Sequence, residues 1–484
     1  MESEHRARRP VRISVPSRTD PLLRRFTESV GGRLGRRTSP GNVSPGFFTV
    51  ERVLILLTVA SALLAVLIKT PCRVTGWAAP VQFYMACFSD WTEVFQFEGV
   101  GRGLFPFLSD GSTFEGPVLL GVLVGIIALT VPVGESAFVP AENVTWFFDV
   151  NATLAAVVWI VIVIATLRLA NRRPWDAAMV AVAPIVILSG TAGWELWPVM
   201  FGMLGMLSFA RCRYVSAGIL LGVGAGLSVF PALLFGAIVL IALRAKSIRP
   251  AVVTGVALVG TWLAVNLPFA LNGYNPWQYI TPSAHGGDSS IWSAYNLMAE
   301  RAGLAPISSG ATTVAAAVTF AALVILIGLL VQKAPRRPRI MHVALLLVAA
   351  FILVVPGFQP HQVLWLVPIV ALAYSGWSMF IVWQIVEVMH WWAYWMYRAR
   401  ESSGGVAENN LDAPYYVLSI LAHMAVTAYI MYLVAGHVLR PRTDPVRRLG
   451  IDDPAGGPYN GAPDGPQRAP VRLSQPAPPL KDLS

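Results

Sequence analysis

About a dozen long apolar runs, parted by short polar turns, limit what this chain can fold into. They fall near 53–69, 117–133, 151–169, 176–192, 195–210, 214–243, 251–271, 312–332, 341–355, 362–376, 378–397 and 413–436. Most are 16 to 25 residues long, and a helix of about 20 apolar residues crosses a hydrocarbon core of about 30 Å. In lipid the backbone must satisfy its own hydrogen bonds, which a helix does within one segment. With 55% of 484 residues hydrophobic and only 13% charged, the chain reads as an all-α polytopic integral membrane protein with about 12 transmembrane helices, spread over residues 51–438. Twelve spans result if 214–243 is one Pro231-kinked helix, thirteen if it is two halves meeting at Ser228-Val229-Phe230-Pro231.

The net charge of +10 is concentrated outside those runs. Ten Arg against four acids precede Glu51, and a second Arg/Pro-rich stretch follows Arg440. Positive-inside anchoring and contact with anionic lipid explain such tails, so nucleic acid is not expected as a partner. Residues 1–50 and 439–484, rich in Arg, Pro, Gly and Ser, are expected to be disordered cytoplasmic tails. No cleavage-site pattern precedes 53–69, which is read as a retained first span. An even span count puts both tails inside, yet leaves Arg172/Arg173 and Arg211/Arg213 on the outside, against the positive-inside tendency. Lys333, Arg336, Arg337 and Arg339 pin their own turn inside.

Three connections are then outer loops: 70–116, 272–311 and 356–362. The first carries Asp90 in Cys87-Phe88-Ser89-Asp90-Trp91, where a lipid-linked substrate and a general base can meet, followed by Glu93, Glu98, Arg102 and Glu115. Acids and aromatics recurring every three to four residues between Phe88 and Phe97 predict a short interfacial helix with its aromatic side toward lipid. The second loop holds Tyr274, Trp277, Tyr279, His285, Asp288, Trp292 and Tyr295. Aromatic faces with hydrogen-bonding groups suit sugar rings, and they suit a membrane-interface belt equally. His361 lies in the third loop, and His390, one turn after Glu387, is expected to pack or hydrogen-bond within the bundle. Cys72 and Cys87 share the first loop, where a disulfide is chemically allowed; three unpaired thiols is the blander expectation.

Several chemistries are absent. No Walker loop, dinucleotide Gly fingerprint, His-Glu-x-x-His or Gly-x-Ser-x-Gly elbow is present. Gly222-Val223-Gly224-Ala225-Gly226 fits close helix packing rather than phosphate binding. No Asp-x-Asp accompanies Asp90 and the acids are scattered, so no metal and no cofactor are expected.

Several segments recur in a familiar order: Phe88-Ser89-Asp90 followed by Gly101-Arg102-Gly103 and Phe105-Pro106-Phe107; Phe114-Glu115-Gly116-Pro117; Phe147-Phe148-Asp149-Val150-Asn151; Arg172-Arg173-Pro174-Trp175-Asp176; Asn266-Leu267-Pro268-Phe269; Leu364-Trp365-Leu366-Val367-Pro368; and Trp383-Gln384-Ile385-Val386-Glu387. In that order they resemble the polyprenyl-phosphate-sugar-dependent glycosyltransferases of the GT-C fold, specifically the actinobacterial glycosyltransferase family 87. The resemblance implies an inverting plasma-membrane enzyme that moves a sugar, mannose first and arabinofuranose second, from a polyprenyl-phosphate donor to an envelope glycan or glycolipid on the outer face. It implies Asp90 as general base. Beside that base, Glu115 and Glu195 are candidates to orient it or the acceptor, Arg102 is the candidate cation for the leaving phosphate, and Trp292 and His361 are candidates to line the sugar site.

The chain departs from that pattern in places. Ser228-Val229-Phe230-Pro231 and Val355-Pro356-Gly357-Phe358 stand where such enzymes carry lysines, and Gly193-Trp194-Glu195 replaces Asn-Trp-Asp. These departures support a rival, a catalytically silent scaffold of envelope synthesis. A transporter or flippase, the third reading, calls for internal repeats and mid-bilayer charges that the sequence does not display.

Overall fold

A computed structural model describes residues 20–31, 49–102, 106, 114, 116–131, 139–272 and 289–462. Every regular element among them is helical. The chain begins with α1 (Pro21–Gly31) and α2 (Val50–Ile68), then three short helices, α3 (Thr70–Thr75), α4 (Val81–Tyr84) and α5 (Asp90–Phe97). Next come α6 (Val118–Ala128), α7 (Ala141–Ala170), α8 (Ala178–Ala181), α9 (Pro184–Ser189), α10 (Leu196–Ala210), α11 (Tyr214–Ala225) and α12 (Phe230–Ala245). The remainder is α13 (Arg249–Leu271), α14 (Ile291–Arg301), α15 (Ser309–Lys333), α16 (Ile340–Val354), α17 (Leu366–Ala373), α18 (Trp377–Ser403) and α19 (Ala413–Leu439).

Among the described residues five helices, α2, α7, α13, α15 and α19, are long and apolar enough to cross a membrane. Their outward faces carry Leu63, Val256, Val314, Leu326 and Leu418, all exposed, as lipid-facing side chains are. This is the build of a membrane-embedded helical protein. Two apolar runs are broken. Residues 174–189 form a 3₁₀ turn and two short helices, with Pro184 opening the second, because its ring cannot continue a preceding helix. The run 214–243 is two helices, interrupted at Gly226–Val229 with Pro231 in the first turn of α12, so the two-halves reading holds. Its glycines serve packing as expected: a β-carbon on Gly222 would stand 2.6 Å from the Leu258 carbonyl of α13.

The turns that carry Arg173, Arg339 and Arg244 gather at one end of the bundle. Arg173 after α7 binds Asp176 (2.7 Å) and the Ser375 carbonyl (3.2 Å) beyond α17. Arg339 before α16 donates to the Leu372 and Ala373 carbonyls at 2.9 and 2.8 Å. Arg244 of α12 reaches the Gln332 carbonyl of α15 at 2.6 Å.

The tails depart from the expectation of disorder where they are described. Residues 440–462 fold onto the basic end, with Asp444, Asp453 and Tyr459 buried. Asp444 meets Arg339 at 2.8 Å, and Asp452 pairs with Arg336 and Arg337. Asp453 accepts from the Ile340 N–H at 2.8 Å and so caps α16 from a distant segment. At the other terminus Asp20 caps α1 through the Leu22 N–H (3.0 Å) and accepts from the Trp377 N–H (3.1 Å) at the start of α18. Composition hid these segments because their acids find partners only in the assembled fold.

Candidate active site around Asp90

Asp90 is the first residue of α5, where a negative charge suits the helix N-terminus. The preceding strap is tied from several directions. Cys72 and Cys87 form a disulfide, correcting the expectation of unpaired thiols. The Lys69 ammonium, buried after α2, donates to the Phe88 carbonyl at 2.7 Å. Ser89 does not cap its own helix; its hydroxyl donates to the Thr191 carbonyl (2.9 Å), and the Asp90 N–H donates to the Ala192 carbonyl (2.7 Å). The strap is thus fastened to the turn between α9 and α10.

That turn and the one before α17 complete the site. Asp90 Oδ2 lies against Gly193 and 3.8 Å from His361 Nε2. Beyond Gly193, Trp194 donates to Asn151 of α7 at 3.0 Å, and Glu195 accepts from the Trp365 indole at 2.5 Å. The Asp90 side chain keeps 30% of its surface open and that of His361 10%. Burial, with the neighbouring charges of Glu93, Glu195 and Glu98, holds the Asp90 carboxyl well above the usual range, Lys69 opposing. Burial pushes Glu195 up to about 7, the Trp365 hydrogen bond opposing. Burial likewise brings Lys69 down to about 7, against the attraction of Asp90. A carboxylate with a raised proton affinity, part of its surface open, is suited to accept a proton from a hydroxyl.

Of the residues named from sequence, Asp90, Glu195 and His361 come together. Trp292 has no described contact with these three; its indole donates to the Val354 carbonyl (2.9 Å) at the end of α16, in the segment that leads to His361. Arg102 is exposed in the 3₁₀ turn past the far end of α5 and has no described contact with Asp90. Glu115, His285 and Asp288 lie outside the described residues. Helix α5 exists as expected but faces the other way. Trp91 and Phe95 are buried, Phe95 stacking on Phe147 (4.5 Å) and Trp91 against Phe148 and Trp194. Their aromatic side therefore meets α7 rather than lipid.

Lys69, Gly193 and Trp365 escaped the sequence reading as site residues. Lys69 ends an apolar run, which normally marks a side chain reaching for headgroups. Arg73 pairs with Asp149, inside one of the recurring segments, and fixes α3 to α7. Among the described residues the donor sets close enough to hold an ion lie elsewhere, at His342, His437 and Asp444 and at Glu387, His390 and His423. Compared with known proteins, the chain matches no family model and no curated sequence.

Proposed function

We propose that this chain is an integral-membrane glycosyltransferase with a GT-C-type architecture. It transfers a sugar, mannose in the first instance, from a polyprenyl-phosphate donor to an envelope glycan or glycolipid at the outer face of the plasma membrane. The observation that carries the reading is the strapping of Asp90 onto the 191–193 turn opposite His361, at the end of the bundle away from the basic turns. Positive-inside orientation makes the basic end cytoplasmic. Twelve crossings then follow if α6 returns to the Asp90 face: α2, α7, the broken 174–189 segment, α10, α11, α12, α13, α15, α16, α17, α18 and α19.

In this reading the acceptor hydroxyl gives its proton to Asp90 as its oxygen bonds to the anomeric carbon and the polyprenyl phosphate leaves with the electron pair. Such base catalysis is worth about 10²- to 10⁴-fold. The anionic leaving group is favoured by cations nearby. Arg102 sits away from Asp90 and the Lys69 amine is turned to a carbonyl. The distance of Arg102 and the engagement of Lys69 favour the second reading, the silent scaffold.

The test compares envelope lipoglycans and arabinan in a strain lacking the protein, restored at matched expression with the native chain or Asp90→Asn. Restoration by the native chain alone is expected, and the missing sugar names the donor. Equal restoration by Asp90→Asn removes the base and leaves the scaffold.

A further inference from the structure

Three metal-ligating side chains converge inside the helical body, apart from Asp90. Glu387 and His390 sit one turn apart on α18, and His423 faces them from α19. One donor atom of each lies within 4.8 Å of the other two. Each of the three residues is 1% exposed. Residues three apart share a helix face, and Glu-x-x-His on one helix with a further ligand from a facing helix is how bundles build metal centres.

Hydrogen bonding does not account for the two imidazoles. His423 Nδ1 meets the Glu387 carboxylate at 2.8 Å, and that carboxylate also accepts from the Trp383 indole at 2.7 Å. His423 Nε2 and both nitrogens of His390 have no partner among the described residues. Buried polar groups are nearly always satisfied, the more so inside a membrane, so three orphaned imidazole nitrogens in one cluster point to a ligand. The other candidate set fails on charge. There Asp444 is engaged by the Arg339 guanidinium through both oxygens, which repels a cation. Among the described residues the Glu387 carboxylate meets only the Trp383 indole and His423.

We propose that Glu387, His390 and His423 form a binding site for a divalent d-block cation, zinc by preference. Two imidazole nitrogens and one carboxylate suit zinc, whereas calcium and magnesium take oxygen ligands. The ion replaces the proton between Glu387 and His423, and that proton leaves to solvent. Zinc–ligand distances of about 2.0 Å at tetrahedral angles need ligand atoms about 3.3 Å apart, so the close Glu387–His423 contact widens slightly while His390 moves in. The fourth position takes water or hydroxide; hydroxide makes the site neutral, as a membrane interior favours. Phe358 stacks on both rings, 5.0 Å from His423 and 6.4 Å from His390. It belongs to the turn that carries His361, so the ring stack links the ion's two imidazoles to that turn. The site stands independently of the transferase reading.

The experiment uses the full chain in detergent micelles, stripped with chelator, reloaded with Zn²⁺ and desalted. Elemental analysis gives the zinc content, cobalt substitution the d–d spectrum, and thermal unfolding a Tm. The native chain and Asp90→Asn should each retain a single zinc ion, gain Tm on loading and give a tetrahedral cobalt spectrum. His390→Phe keeps the ring stack while removing the donor, and with His423→Gln should lose the ion; His342→Gln should keep it. A native chain that retains no zinc and shows no Tm change overturns the site. So does full zinc content in both His390→Phe and His423→Gln, or loss confined to Asp90→Asn or His342→Gln.

Discussion

Asp90 and Gly193 meet so closely that a β-carbon on Gly193 would stand 2.7 Å from Asp90 Oδ2 and 3.7 Å from His361 Nε2. A carboxylate oxygen cannot tolerate carbon at the shorter of these distances. The bare backbone at 193 is therefore what allows the carboxylate to lie beside His361 while its own N–H holds the Ala192 carbonyl.

Gly193→Ala should displace the carboxylate without dissolving the strap, whose backbone bonds remain. Overpacking of this kind costs about 1–3 kcal/mol, little enough for the protein to stay folded. Glycan restoration should fall toward the Asp90→Asn level while the protein still purifies as a monodisperse species. Native-level restoration by Gly193→Ala would show that the Asp90 position is unimportant.

Transfer should rise with pH as Asp90 loses its proton, with a midpoint above the ordinary aspartate value of about 3.9. Burial and then the Glu93 charge lift that midpoint, and Lys69 lowers it. Glu93→Gln removes a like charge and should shift the acid limb to lower pH. Lys69→Met removes an opposite charge, present below about 7, and should shift it higher. Initial-rate profiles on membrane preparations give the midpoints; shifts of the same sign in both variants contradict the assignment.

The sequence made the acids legible because charges are sparse in so apolar a chain, and Asp90, Glu195 and His361 do converge. Their order along the chain says nothing of how α5 is oriented. The spacing of Trp91 and Phe95 reveals a shared face, but the same period serves a lipid-facing stripe and one packed on Phe147 and Phe148. Lys69 was invisible for a similar reason, since a lysine closing a span reads as reaching outward, whereas its amine turns inward to Phe88. The break at Gly226–Val229 is legible as the two-halves alternative before Pro231, whereas 176–192 reads as one run and its break at Pro184 is missed. The folded tail is not legible, because Asp444, Asp452 and Asp453 acquire meaning only beside Arg339, Arg336 and Ile340.

The Cys72–Cys87 bridge should stabilise the site more than the bundle. Its sequence separation of 15 corresponds to about 3 kcal/mol of loop-closure entropy. It ends one residue before Phe88, the acceptor of Lys69. Reduction, or Cys72→Ala with Cys87→Ala, should speed proteolysis within residues 70–98 while leaving the helix content by circular dichroism nearly unchanged. Unaltered cleavage there would mean that Lys69 and Ser89 hold the strap without the bridge.

The segment after α19 should prove part of the fold. Arg339 and Asp444 are 2% and 0% exposed, and the guanidinium divides its N–H groups between that carboxylate and the Leu372 and Ala373 carbonyls. Removing one partner strands a buried charge at about 3–5 kcal/mol, whereas apolar replacement of both is often neutral. Asp444→Asn should thus lower the thermal midpoint strongly and Arg339→Met with Asp444→Leu much less. Truncation after Leu439 removes the Asp453 cap of α16 as well, a further loss of about 1 kcal/mol. It should therefore be the least stable of the three, and a truncated chain with the native midpoint would show that residues 440–462 contribute nothing to stability.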